Sequence, residues 1–138
     1  MLESLSLEGT TVVITGGGTG LGRAMVKDMA RAGADLVIAG RRLEPLEEAA
    51  AEAETFGVKA MGVATDVTDS TQVANLMQTC LDRFGKIDVL LNNAGAVSDN
   101  VRKPIWELTD EEWDRIMRVN LTGAFYCSWE VSQTMVAQ

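Results

Sequence analysis

Histidine is absent from the sequence, and cysteine occurs only twice, at Cys80 and Cys127. A zinc or iron–sulfur site needs more soft ligands than this, and a triad-type serine or cysteine nucleophile needs a histidine base. We therefore expect no metal site and no such triad. The two cysteines are far apart in sequence and fall on apolar helix faces, which predicts buried thiols and not a disulfide.

Basic residues are also scarce, since 12 Lys and Arg face 20 Asp and Glu and the net charge is -8. An acidic chain repels phosphate backbones, so nucleic acid and anionic membranes are poor partners. Apolar runs fall far below the ~20 residues that cross a bilayer, and residues 1–9 lack the features of a secretory signal. We expect a cytoplasmic protein with a single domain over residues 1–138, because the composition is that of one folded domain.

Short apolar runs alternate with helical patterns along the chain. Each predicted strand is a continuous apolar run, which is typical of a parallel sheet covered by helices on both faces. We predict an α/β fold, a Rossmann-like doubly wound parallel sheet with strand order 3-2-1-4. The predicted strands cover 11–15, 36–39, 58–64 and 87–91, and the predicted helices begin near 21, 43, 69 and 109, the last as one long helix reaching nearly to Gln138.

The chain ends at Gln138, where a further strand would normally follow and pair beside the fourth. We therefore expect a sheet truncated before its fifth strand, with the fourth strand as an unpaired edge. The long helix would also expose apolar residues such as Phe125 and Trp129. These features predict that the chain aggregates, dimerises through that edge or is a fragment of a longer protein.

The stretch from Thr15 to Gly22 reads TGGGTGLG and joins the first predicted strand to the first helix. At such a junction, backbone N–H groups and the helix dipole together form an anion site suited to a pyrophosphate. The spacing is TGxxxGxG, with glycine at 16, 20 and 22, and it does not match GxGxxG. Taken by itself, the loop also fits a tight turn that binds nothing.

The end of the second predicted strand carries no carboxylate. A site for NAD usually places one there, about 20 residues after the glycines, to bind the ribose hydroxyls. Gly40 occupies this place, and Arg41 and Arg42 follow at a helix N-terminus, where two cations need an anion to join them. The 2′-phosphate of NADP would supply that anion, which favours NADP over NAD. The alternative is a solvated basic pair neutralised by Glu44, Glu47 and Glu48.

Four motifs in register make the chain resemble the short-chain dehydrogenase/reductase family: the glycine loop, Asp66-Val67, Asn92-Asn-Ala-Gly95, and Asn120. The resemblance implies that the glycine loop holds the pyrophosphate, the arginines the 2′-phosphate, Asp66 and Val67 the adenine, and Asn93 to Gly95 the ribose region. As alternatives, Asp66 helps to cap the third helix and the asparagines cap backbone groups where the strand ends. The implied cofactor-binding residues are Gly16, Gly18, Thr19, Gly20, Leu21, Gly22, Arg41, Arg42, Asp66, Val67, Asn93, Ala94 and Gly95.

Asn120 is the one residue implied to take part in catalysis. Its spacing places it on a helix face with Met117, Ala124 and Cys127, which predicts an amide aimed into a buried surface, where it must find partners. In similar enzymes this asparagine helps to order water for a proton relay. A purely structural bond to neighbouring backbone is the alternative.

The chain departs from the family at the catalytic pair. The family uses a tyrosine, a lysine four residues later and an upstream serine, whereas the only tyrosine here, Tyr126, is followed four residues on by Glu130. We therefore do not transfer the catalytic role to Tyr126.

The sequence predicts the cofactor-binding part of an NADP(H)-dependent oxidoreductase. Such an enzyme reduces a ketone or oxidises a secondary alcohol, and its substrate is a small carbonyl or alcohol compound. A 3-oxoacyl thioester, a sugar or a polyol fits that class. The family also implies a homo-oligomer. The alternative is a non-catalytic dinucleotide-binding or interaction module, and a methyltransferase is disfavoured because Gly40 supplies no ribose-binding acid.

Overall fold

The computed structural model describes residues 5–98 and 103–138. The prediction that residues 1–9 contain no secretory signal therefore falls partly outside the described residues. A sheet of parallel strands forms the centre of the fold, in the predicted order β3-β2-β1-β4. The strands are β1 (Thr11–Thr15), β2 (Asp35–Gly40), β3 (Ala60–Ala64) and β4 (Val89–Leu91).

A helix begins near each of the four predicted positions. The α-helices of the described residues are α1 (Gly20–Arg31), α2 (Leu43–Glu54), α3 (Ser70–Phe84), α4 (Asp110–Met117) and α5 (Ala124–Ala137), with a short 3-10 turn at Ile105–Glu107. Thr109 caps α4 in a capping box with Glu112, whose carboxylate also binds Lys103. Asp69, and not Thr68, caps α3, and its side chain accepts hydrogen bonds from the N–H groups of Thr71 and Gln72.

The long helix is not one regular α-helix as predicted. A π-helical segment, Arg118–Gly123, separates α4 from α5, and single π turns inside helices often occur at functional sites. At the end of this segment Gly123 packs directly on Val67, where an added Cβ would lie 2.6 Å from the valine Cγ2. The helix therefore approaches the end of β3 as closely as a glycine allows.

Apolar residues cover both faces of the sheet. Strand residues such as Ile14 and Ile38 pack under α1 and α2, and Val13 and Val37 pack under α3 and α5. Alternate residues of a buried strand point to opposite faces of the sheet. Each strand therefore contributes side chains to two hydrophobic cores, the first under α1 and α2 and the second under α3 and α5.

Both cysteines lie in the second core with no exposed surface, as predicted, and are free thiols. Burial, together with the charge of Asp88, raises the pKa of Cys80 to about 12, and burial raises that of Cys127 to about 11. Both thiols are therefore protonated at neutral pH. In the described part of the chain no helix is long and apolar enough to span a membrane.

Candidate functional site

A cavity of about 520 Å³ opens at the carboxyl ends of the strands. In open α/β sheets, this edge is where ligands bind. On one side lies the glycine wall, which consists of Gly16, Gly18, Thr19 and Gly40, and on the other lies the helix wall, which consists of Asp114, Arg115, Arg118 and Val119. The remaining described lining residues are Arg41, Arg42, Pro45, Leu46, Thr65, Asp66, Val67, Thr68, Ala94, Gly95 and Ala96.

The structure brings most of the predicted cofactor residues to this cavity. Gly16, Gly18, Thr19, Arg41, Arg42, Asp66, Val67, Ala94 and Gly95 line it. Gly20, Leu21, Gly22, Asn93 and Asn120 do not line it but lie in the elements that shape it.

Two glycines of the loop are required by close backbone contacts. Gly16 has a φ of +68°, and a Cβ there would lie 2.9 Å from the Cα of Ala94. A Cβ at Gly22 would lie 2.0 Å from the carbonyl oxygen of Gly16 and 2.5 Å from Nδ2 of Asn93. Side chains are excluded at both positions, so the loop presents bare backbone to the cavity.

The N-terminus of α1 meets the glycine wall. Thr19 is the N-cap, its side chain makes no capping hydrogen bond, and the first turn holds no acidic residue. The first N–H groups of a helix lack partners inside it and carry the positive end of the dipole. This end of α1 is therefore suited to an anion, as the sequence predicts.

Thr15 and Asn93 join the glycine loop to the end of β4. The Thr15 hydroxyl accepts hydrogen bonds from the N–H groups of Asn93 (3.1 Å) and Ala94 (3.0 Å). The Asn93 amide donates to the carbonyls of Thr15 and Gly16, each at 3.1 Å. Asn93 therefore bonds backbone groups at a strand end, as the alternative interpretation proposes. Thr15 was not among the predicted site residues, and its place as the first residue of the glycine motif was the available signal.

Arg41 and Arg42 are exposed at the cavity, directly after the end of β2. The alternative of neutralisation by the glutamates of α2 does not match the contacts, because Glu48 pairs with Arg23 at 3.1 Å. Among the described residues, no ion pair includes either Arg41 or Arg42. Two guanidinium groups therefore stay available for an anionic ligand.

Asp66 is held in a tight turn after β3. Its carboxylate accepts hydrogen bonds from the N–H (2.9 Å) and the hydroxyl (2.7 Å) of Thr68, which lower its pKa together with the nearby charge of Arg41. Because Asp69 is the N-cap of α3, Asp66 does not cap that helix. Asp66 is therefore an ionised group at the rim of the cavity at neutral pH.

The prediction that Asn120 points into a buried surface is wrong, because the residue is exposed in this chain. Both polar atoms of its amide nevertheless form hydrogen bonds. Its Oδ1 accepts from the N–H of Ala96 at 2.6 Å, and its Nδ2 donates to the carbonyl of Ala96 at 2.9 Å. The π-helical segment thereby fixes the loop that follows β4.

Sequence reasoning missed the helix wall entirely. Asp114, Arg115, Arg118 and Val119 are about 50 residues beyond Asp66 in sequence and carry no motif. The described side chains lining the cavity include four arginines and two aspartates, so the cavity is positive in a chain of net charge -8. A local surplus of positive charge favours an anionic ligand.

The chain belongs to the short-chain dehydrogenase family, since the model of that family, described as short chain dehydrogenase, matches residues 10–138. Among its relatives is an uncharacterized oxidoreductase of Thermotoga maritima, 40% identical over 94% of this chain and 50% of the relative. A sorbitol dehydrogenase of Cereibacter sphaeroides is 38% identical over 96% of this chain and 50% of that enzyme.

A solved structure described as 3-ketoacyl-(acyl-carrier-protein) reductase from Brucella melitensis complexed with NADH is also similar. It matches with a TM-score of 0.86 and 34% identity over 94% of this chain and 51% of that one. The chain therefore spans about half the length of the relatives it matches. The family binds NAD or NADP, and these comparisons do not distinguish between the two cofactors.

Proposed function

We propose that this chain is the cofactor-binding part of an NADP(H)-dependent oxidoreductase that interconverts a ketone and a secondary alcohol. The observation that carries the proposal is the pair Arg41 and Arg42, which lines the cavity without an ion-pair partner among the described residues, directly after a strand that ends in Gly40. A carboxylate at that strand end would bind the ribose hydroxyls of NAD, whereas free guanidinium groups suit a 2′-phosphate.

The residues present fit such a cofactor. The glycine loop leaves room that a Cβ would fill and offers backbone N–H groups for a pyrophosphate. In this proposal Arg41 and Arg42 hold the 2′-phosphate, Asp66 and Val67 the adenine, and Asn93 to Gly95 the ribose region. When bound, the nicotinamide supplies the hydride chemistry, and the protein contributes binding and orientation.

For Asn120 we propose a positioning role. Both polar atoms of its amide are occupied by Ala96, so the amide holds the loop after β4 against the π-helical segment. In the proposed enzyme this contact fixes one wall of the space beside the cofactor. Participation in a proton relay, which the family resemblance implies, would add to that role.

A small carbonyl or alcohol substrate fits the family, and the sorbitol dehydrogenase and 3-ketoacyl reductase relatives illustrate polyols and 3-oxoacyl thioesters. A second candidate, a non-catalytic dinucleotide-binding module, differs from the oxidoreductase in binding the cofactor without turnover. Cofactor binding without turnover in the natural full-length product would support the module, and turnover would support the oxidoreductase.

Self-association is the proposed quaternary behaviour. The outer surface of α4, the π-helical segment and α5 exposes large apolar side chains, and β4 lies at the edge of the described sheet. Such surfaces favour association. The exposed apolar residues are Trp113, Leu121, Phe125, Trp129 and Val136. Light scattering that finds only a monomer at micromolar concentration would contradict this proposal.

Reversing one charge tests the cofactor assignment. We expect Arg41→Asp to weaken NADPH binding by about 1–3 kcal/mol, because a charge-assisted pair is lost and a like charge is added. Calorimetric titration of the same variant with NADH provides the control, since NADH lacks the 2′-phosphate and should lose little. An unchanged affinity for NADPH would remove Arg41 from the site.

A further inference from the structure

Arg118 lies in the helix wall, at the first position of the π-helical segment, and lines the cavity. Its neighbour Arg115 is tied down, because it donates a hydrogen bond to the carbonyl of Val97 at 3.0 Å. Arg118 makes no hydrogen bond or ion pair with any of the described residues, and this includes Asp114 one helical turn earlier. An exposed guanidinium beside a cavity is therefore left without a protein partner in this part of the chain.

The π-helical segment brings Arg118 to the cavity that Val67 and Val119 also line. Arg118 begins the segment and is exposed, whereas Gly123 ends it and is buried. Gly123 is the residue that packs directly on Val67, and Val119 packs against the same core cluster as Val67. Arg118 therefore lies near the apolar surface formed by Val67 and Val119.

This part of the cavity has the chemistry of a site for a purine base. Val67 and Val119 offer an apolar surface for one face of a flat ring, and the ionised Asp66 at the rim can accept from an exocyclic amine. The opposite face of the ring needs a further side chain of the cavity, and Arg41 and Arg42 are already assigned to the 2′-phosphate. A guanidinium is planar and weakly hydrated, and it stacks on aromatic rings.

We propose that Arg118 stacks its guanidinium on the outer face of the adenine ring and is a cofactor-binding residue of the helix wall. The inference rests on the proposed function, since it needs a dinucleotide in the cavity. It also explains why a residue far from the glycine motif lines the same space. The contact is with the base, so it serves NADPH and NADH equally.

The test measures dissociation constants of NADPH and NADH for the wild-type chain and three variants by calorimetry. Arg118→Met keeps a long side chain and removes the planar guanidinium cation. Arg118→Lys keeps the positive charge but replaces the planar guanidinium with an ammonium group. Arg31→Met is the control for cofactor binding, because Arg31 ends α1 outside the cavity lining and contacts Asp28 and Phe56 instead. Thermal unfolding of each variant reports whether the fold is kept.

We expect both Arg118 variants to weaken NADPH and NADH by the same factor, roughly threefold to thirtyfold for loss of a cation–π stack. The unfolding temperature of the Arg118 variants and the cofactor affinity of the Arg31 control should stay unchanged. Unchanged affinity, a loss confined to NADPH, or full recovery in Arg118→Lys would overturn the stacking assignment. Failure of the wild-type chain to bind either cofactor would instead overturn the proposed function, and the inference with it.

Discussion

The two walls of the cavity are built in opposite ways. The glycine wall presents backbone that is held by direct contacts, such as the 2.9 Å that would separate a Cβ at Gly16 from the Cα of Ala94. The helix wall presents long side chains, of which Arg118 makes no hydrogen bond or ion pair with the described residues. The first wall tolerates almost no change in shape, whereas the second can change its side chains without moving its backbone.

This difference separates two properties of the site. Bare backbone and a helix N-terminus suit a feature shared by all dinucleotides, the pyrophosphate. In the proposed complex the side chains elsewhere in the cavity bind the other parts of the cofactor: Arg41 and Arg42 bind the 2′-phosphate, which only NADPH carries, and Arg118 binds the adenine, which NADPH and NADH share. We therefore expect substitutions in the glycine wall to abolish folding or binding, and substitutions elsewhere to change affinity in graded steps.

The largest effect is expected from Gly22→Ala. The added methyl group would overlap the Gly16 carbonyl and the Asn93 amide, so we expect a loss of at least about 3 kcal/mol of unfolding free energy, at the upper end for overpacked sites. NADPH binding should be lost as well. Urea denaturation and calorimetry measure the two quantities.

Gly57→Ala is the control for that variant. Unlike Gly22, Gly57 has a positive φ, +87°, and open space surrounds its Cβ position. Only backbone strain of about 1–2 kcal/mol should appear there, without loss of binding. Equal destabilisation by the two alanines would show that close contact is not what requires glycine at position 22.

A smaller effect is expected from Thr15→Val, which removes the hydroxyl and keeps the shape. Two backbone N–H groups, those of Asn93 and Ala94, would lose their acceptor, so we expect a loss of about 2 kcal/mol in unfolding free energy. Thr11→Val in the same strand is the control, because the Thr11 hydroxyl makes no hydrogen bond with a described residue. Chemical denaturation of both variants checks this, and similar losses would contradict the bridging role.

The smallest effect concerns Asp66. Because its pKa is lowered in the folded chain by Thr68 and then by Arg41, its stabilising contribution is fully present above the ordinary value of 3.8 and is lost as the pH falls through the lowered value. We expect Asp66→Asn to cost less than about 1 kcal/mol at pH 7, since water screens this group. Urea midpoints of the wild-type chain and of Asp66→Asn at pH 7 and pH 3 measure this cost. The difference between the two proteins should shrink at pH 3, and a larger difference at pH 3 would contradict the prediction.

The strand order and the glycine wall were predictable from the sequence because their signals are local. Continuous apolar runs such as 11–15 predict buried strands. The close contacts at positions 16 and 22 require glycine, and the glycines are visible in the sequence. The helix wall was not predictable, since its approach depends on a π-helical segment and on the contact of Gly123 with Val67.

The exposure of Asn120 illustrates the same limit. Its helical spacing predicted a buried amide, but the residue is exposed and its amide bonds the backbone groups of Ala96, a contact across 24 residues. Periodicity gives the face of a helix that a residue occupies, and only the tertiary structure gives what lies opposite that face.

The most direct test of the account is to titrate the wild-type chain with NADPH and with NADH under the same conditions and compare the two dissociation constants. The account predicts that NADPH binds at least about tenfold more tightly, because Arg41 and Arg42 gain a charge-assisted contact with the 2′-phosphate. Equal affinity, or tighter binding of NADH, would contradict it.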